Sequence, residues 1–236
     1  MHIAGLQKMT LLDFPGKVAC TVFLQGCNFR CPFCHNSDLL GKDGPEGMTD
    51  EELLKFLDKR RGLLDAVCIT GGEPTLQPEL EKLICAIKEM GYAVKLDTNG
   101  AKPEILKKLS QQGLLDYVAM DIKNSPEGYG ETVGVPGMDI SRVEQSIKFL
   151  LAGEQPYEFR TTVVAELHDE TTMESMGKWL STLVPGKKPV KLFLQGYIDR
   201  DSVLKEGLHP CSREQMESFV RILRPFVDAV EIRGME

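Results

Sequence analysis

With 236 residues, 42% apolar and 27% charged, the chain has ample material for a sizeable core, as one large domain or two small ones. A formal charge of −7 argues against broad binding to a phosphate backbone, so nucleic acid is not an expected partner. No run approaches 18 consecutive apolar residues and the N-terminal stretch has no long apolar core, which predicts a soluble cytoplasmic protein without membrane association.

The first strand-like run is Val18–Gln25, followed by the stretch "GCNFRCPFCHN". A helix then opens at Thr49, with Glu52 at the capping-box position, and stops near Gly62. The run Asp65–Thr70 reads as a strand and leads into Gly71, Gly72, Glu73 and Pro74. The next helix carries Pro78 near its first turn and ends at Gly91. Strand Tyr92–Asp97 exits into Thr98, Asn99 and Gly100, and a helix is predicted over Pro103–Gln112. Asp121 and Lys123 stand at the end of strand Asp116–Ile122. The segment Asn124–Gly137 is rich in glycine and proline and long for a connection, which predicts a functional or mobile loop. Helix Ser141–Ala152, strand Tyr157–Val164 with Arg160 inside it, and helix Thr172–Leu183 follow. Strand Val190–Gln195, ending in Gln195, helix Ser212–Leu223 and a last strand, Asp228–Arg233, complete the pattern.

Strand–helix alternation with nearly continuous apolar strands means a parallel sheet covered by helices, either open and doubly wound or closing toward a barrel. Both architectures put chemistry at the C-terminal ends of the strands. Glycines and polar residues fall at those exits repeatedly, which predicts one site at one mouth. No linker or low-complexity segment interrupts the pattern, so residues 1–236 read as a single domain.

Seven cysteines, an odd number, with Cys27, Cys31 and Cys34 packed into eight residues, suit a reducing compartment and a metal better than a disulfide framework. A zinc site could recruit His35 as fourth ligand, although adjacent Cys-His ligation is cramped. Alternatively, three thiolates can wrap an iron–sulfur cluster and leave one metal without a protein ligand. Cys20, Cys68 and Cys85 read as small buried hydrophobes and Cys211 as a residue of a helix cap, while His2, His168 and His209 lack metal-like spacing.

The segment "CNFRCPFC", including Phe33 before the third cysteine, resembles the CxxxCxxC signature of the radical S-adenosylmethionine (SAM) superfamily. That resemblance implies a partial (βα)6 barrel, α/β in class, with parallel strands, outer helices and one open side. It implies a 4Fe–4S cluster on Cys27, Cys31 and Cys34, with SAM on the fourth iron. The "GGEP" stretch, Gly71–Pro74, resembles the family's motif for the SAM amino group; a tight turn is its plain alternative. Asp97 and Thr98 of "DTNG", with Asp121 and the Ala119 carbonyl, match positions that serve the SAM carboxylate and a Na+ or K+ ion in the activases of glycyl radical enzymes. Lys123 and Arg160 resemble basic residues of that subgroup near SAM, although salt bridges to Asp97, Asp121 or Glu73 would explain them equally. Asn99 belongs to the same mouth, His35 lies beside the cofactor, and Gln195 is either a contact to its ribose or adenine or a satisfied core amide.

From "TLLDFPG" to "VEIRG" the chain is similar to the short activating proteins of anaerobic ribonucleoside-triphosphate reductase, related in turn to the pyruvate formate-lyase activating enzymes. The resemblance implies a glycyl radical enzyme as protein substrate and a flavodoxin- or ferredoxin-like electron donor. There is no second cysteine cluster, which disfavours the sulfur-inserting and peptide-modifying members. The rivals are an electron-transfer iron–sulfur protein, a zinc module, and a radical SAM enzyme acting on a small molecule or tRNA.

Overall fold

The structure, a computed structural model, describes residues 3–41, 47–187, 189–199 and 202–235; His2 lies outside them. The strands follow one another across a single sheet in the order β1 to β8, leaving β1 and β8 as its edges. By internal packing the chain divides into two compact units. The first comprises the described residues of Met1–Asn28, Asp38–Thr98 and Glu104–Ala119. The second comprises those of Phe29–Ser37, Asn99–Pro103 and Met120–Glu236.

The first unit opens with β1 (Ile3–Thr10), which pairs antiparallel with β2 (Ala19–Leu24). Periodicity gives no warning of β1: only Ile3 and Thr10 of its eight residues are buried, and the strand is held by pairing with β2. Helix α1 (Asp50–Asp58) forms where the capping box predicted it: Glu52 N donates to Thr49 Oγ1 at 3.2 Å, and Thr49 N donates to Glu52 Oε2 at 2.9 Å. Strand β3 (Ala66–Gly71) pairs parallel with β2, and helix α2 (Leu80–Glu89) buries Leu80, Leu83, Ile84 and Ile87. Strand β4 (Ala93–Thr98) pairs parallel with β3, followed by α3 (Pro103–Gln111) and β5 (Tyr117–Asp121). Phe14, Ala19, Ala66 and Cys68 form a core cluster with Ala93 and Tyr117 packed against it. Burial pushes the Cys20 and Cys68 thiols up to about 12, as fits structural cysteines; Cys85 is only half-buried.

In the second unit a short helix α4 (Tyr129–Thr132) precedes α5 (Ser141–Ala152). Strand β6 (Tyr157–Val163) leads to α6 (Glu170–Thr182), whose N-cap is Asp169. Strands β7 (Lys191–Gly196) and β8 (Ala229–Arg233) flank α7 (Arg213–Leu223), and the pairs β6–β7 and β7–β8 are parallel. The mostly parallel α/β sheet is as expected; beyond the seven strands read from the sequence, it carries the antiparallel β1.

The segment Asn124–Gly137 departs most from expectation. Asn124, Ser125, Tyr129, Thr132 and Val133 are all buried. Asn124 Nδ2 donates to Thr132 Oγ1 at 2.8 Å and to the Leu167 carbonyl at 2.9 Å. Two large apolar side chains anchor this glycine-rich connection, and composition alone does not reveal that anchoring.

Candidate active site

In the first unit the glycines of GGEP are required by close approach. Gly71 has φ +125°, and a Cβ there would meet the Leu24 backbone at 2.3 Å. A Cβ on Gly72 would lie 2.2 Å from the Gly26 carbonyl oxygen. Two backbone hydrogen bonds fix this crossing: Gly72 N to Leu24 O at 2.9 Å and Glu73 N to Gly26 O at 2.8 Å. The exit of β3 is thus laid directly on the chain leading into Cys27, which a tight turn alone would not require. Gln77 Nε2 also donates to the Gln25 carbonyl at 2.5 Å.

Glu73 is 1% exposed, and Pro74 beside it opens a short buried 3-10 turn. Three neutral donors converge on its Oε1: Thr75 N at 3.1 Å, Thr75 Oγ1 at 2.5 Å and Thr98 Oγ1 at 2.8 Å. On β4, Lys95 Nζ lies 2.6 Å from Asp97 Oδ1, with Lys95 2% exposed.

In the second unit, Asn99 Oδ1 accepts from Ala101 N at 3.0 Å, turning the chain ahead of α3. Cys34 N donates to the Cys31 carbonyl at 3.1 Å, and Arg30 N to the Val133 carbonyl at 2.8 Å. A Cβ at Gly134 would meet the Arg30 carbonyl at 2.3 Å, so the segment Asn124–Gly137 braces the cysteine loop. Phe33 is buried, with Lys123 Nζ 6.0 Å from its ring centroid. His35 stacks on Tyr197 with centroids 5.6 Å apart, and its Nε2 lies 2.6 Å from the Ile198 carbonyl. That ring nitrogen is engaged by backbone rather than turned to a metal.

Asp121 lies between two cations. Its Oδ2 is 2.8 Å from Lys123 Nζ and its Oδ1 is 3.1 Å from Arg160 Nε. Asp121 is thus one of the salt-bridge partners that sequence offered for both cations. Burial pushes the Asp121 carboxyl up, but Lys123 and Arg160 outweigh it and hold it down to about 2. For Lys123, burial disfavours the charge, yet Asp121 and Cys31 outweigh burial and raise its pKa well above the ordinary value. Burial also raises the Cys34 thiol, opposed by the Asn36 amide, Lys123 and Arg30. Asp121 thus holds Lys123 near Phe33 of the cysteine loop, where an ammonium suits thiolates or an anionic ligand. Gln195 is half-buried at the end of β7.

Three residues here escaped sequence reasoning. Lys95 reads as part of an apolar run, although its i,i+2 spacing to Asp97 puts both on one face of a strand. His168, 3% exposed, accepts from Val164 N at 3.0 Å through Nδ1, while its Nε2 sits 2.9 Å from the Lys123 carbonyl and fixes that backbone. Tyr129 is fully buried and carries no sequence signal. Cys27 belongs to the first unit, and Cys31 and Cys34 to the second. Among the described residues, no three His, Cys, Asp or Glu side chains are gathered as they would be around a single metal ion, and no helix is long and apolar enough to cross a membrane.

Comparison with known proteins bears on what this arrangement serves. The model of the radical SAM superfamily matches residues 21–177. A protein of Methanocaldococcus jannaschii named "Putative glycyl-radical enzyme activating enzyme" is 32% identical over 98% of this chain and 95% of its own length. The pyruvate formate-lyase-activating enzyme of Clostridium pasteurianum is 38% identical over 54% of this chain and 55% of its own. A crystal structure of a domain of pyruvate-formate lyase-activating enzyme from Bacteroides vulgatus shares the fold, with a TM-score of 0.58 at 20% identity, covering 72% of this chain and 99% of that one. Membership implies a 4Fe–4S cluster and SAM as cofactors and a protein as substrate. The chain belongs to the radical SAM superfamily, among its glycyl-radical enzyme activating enzymes.

Proposed function

We propose that this cytoplasmic enzyme activates anaerobic ribonucleoside-triphosphate reductase by removing a Cα hydrogen from a glycine in the reductase's C-terminal loop. When bound, a 4Fe–4S cluster would supply, with one electron from a flavodoxin- or ferredoxin-like donor, the reductive cleavage of SAM whose adenosyl fragment takes up that hydrogen.

The donor set fits these groups. Cys27, Cys31 and Cys34 would hold the cluster, and the Lys123 ammonium favours the thiolate forms of Cys31 and Cys34. Glu73, oriented by Thr75 and Thr98, would take the amino group of SAM together with the backbone of Gly71, Gly72 and Pro74. Lys123 and Arg160 would take its carboxylate, with Asp121 keeping both cations in place and Asn99 shaping the nearby turn. Phe33 gives an apolar wall, and His35 and Gln195 would lie toward the adenosine. The observation that carries this reading is Glu73 in the first unit: a carboxylate 1% exposed whose Oε1 is oriented by neutral donors, which leave its charge in place for an ammonium group.

The likeness to a pyruvate formate-lyase-activating enzyme favours formate-lyase as the second reading of the partner. Incubating anaerobically reconstituted protein, SAM and dithionite with each candidate enzyme distinguishes them: the reductase is expected to develop a glycyl doublet in its EPR spectrum. A doublet with formate-lyase alone would overturn the choice of reductase. Silence with every glycyl radical enzyme would favour a small-molecule substrate. Cys27→Ala, Cys31→Ala and Cys34→Ala should each abolish release of 5′-deoxyadenosine.

A further inference from the structure

Lys95 and Asp97 alternate along β4 and therefore project from one face of the sheet. Lys95 is 2% exposed, the Asp97 side chain 15%, and the pair is closed at 2.6 Å. Across the strand register Lys95 faces Cys68, a buried thiol, so the ammonium has a dry neighbour on the β3 side. An ammonium enclosed to this degree needs a carboxylate, and the carboxylate in turn needs a cation. The Asp97–Thr98 pattern is where the activase resemblance puts a Na+ or K+ ion. The donors found here do not fit one. Asp97 already holds a cation, and a metal ion on the same carboxylate would sit within a few ångström of Lys95 Nζ in a low-dielectric setting. The Thr98 hydroxyl, donating to Glu73, has only a neutral oxygen to offer a metal ion, and Asp121 has cations of its own in Lys123 and Arg160.

We propose that Lys95 is a built-in counter-cation for Asp97, taking the place of a monovalent metal ion, so that SAM binding by this chain needs no added Na+ or K+. The cofactor part of the proposal rests on the radical SAM reading of the site; the pairing itself does not.

Thermal unfolding of the cofactor-free full chain in tetramethylammonium, sodium and potassium chloride at equal ionic strength tests the pairing. The wild-type midpoint should agree within about 1 °C among the three salts. Lys95→Met leaves Asp97 without its ammonium, and should lower the midpoint by about 8 °C in tetramethylammonium. Sodium or potassium should recover about 3 °C of that loss. Should Lys95→Met not fold, the double variant Lys95→Met/Asp97→Asn should fold, because both charges of the pair are then removed. Calorimetry on reconstituted protein reads the second half: wild-type affinity for SAM should change less than about twofold among the salts, and that of Lys95→Met about tenfold in favour of potassium or sodium over tetramethylammonium. A wild-type midpoint or SAM affinity that rises with sodium or potassium but not with tetramethylammonium overturns the proposal. So does a Lys95→Met variant indifferent to the cation, or a double variant less stable than the single one. The unfolding measurement involves neither cluster nor SAM, so failure of the radical SAM reading would leave its outcome standing.

Discussion

Glu73 in the first unit and Asp121 in the second are carboxylates at strand exits, held by opposite means. Glu73 is 1% exposed and receives three neutral donors on Oε1, from Thr75 and Thr98. Asp121, with a side chain 28% exposed, receives two cations, Lys123 and Arg160. Hydroxyl and amide donors orient a carboxylate while leaving its charge in place, whereas ammonium and guanidinium cancel it. Glu73 is thus oriented by neutral donors that leave its charge in place, and Asp121 is a mount that holds two cationic side chains. Lys95 on Asp97 repeats the second arrangement within the first unit.

The comparison breaks most readily at Asp121. Asp121→Asn removes the carboxylate that Lys123 and Arg160 share, and should cost about 3 kcal/mol of stability by urea unfolding. The acid limb carries the same information. The folded pKa, about 2, lies below the unfolded value of about 3.9, so the contribution is full above pH 4 and fades as pH falls toward 2. That loss should flatten in Asp121→Asn. An unchanged unfolding curve would show that Asp121 does not neutralise the two cations. Glu73→Gln should behave in the opposite sense. Its donors can still serve an amide oxygen, so stability should move by about 1 kcal/mol or less, while SAM affinity falls about 10- to 100-fold with loss of a charge-assisted bond. Equal losses of stability in the two variants would erase the distinction.

How far this was legible in sequence differs by residue. The strand exits and the Thr49 cap were readable, because period and capping chemistry act over a few residues. Strand β1 was not, since it is held by pairing with β2 and, at Ile3, with Met48, and its own residues are mostly uncovered. The segment Asn124–Gly137 reads as a loose loop, yet Tyr129 and Val133 are fully buried and Val133 accepts from Arg30 across about a hundred residues of chain. Such long-range anchoring leaves no local pattern. Lys95 hides for another reason: inside an apolar strand a lysine reads as an interruption until its spacing to Asp97 is matched to the pleat. Lys123, two residues past Asp121, has the same spacing and was visible because it stands at a strand exit.

The smallest expected effect isolates the neutral side of the comparison. Thr98→Val keeps the shape of the side chain and removes one of the three donors on Glu73 Oε1, leaving both from Thr75. Loss of a single neutral hydrogen bond to a carboxylate should cost about 1 kcal/mol, and loosened orientation of Glu73 should weaken SAM about fivefold. Because Thr98 also lies in the pattern that elsewhere serves a metal ion, the salt matters to the interpretation. If the fivefold loss is the same in potassium and tetramethylammonium, the hydroxyl acts through Glu73. A loss confined to potassium would assign Thr98 to a cation instead, and would count against Lys95 as that cation's replacement.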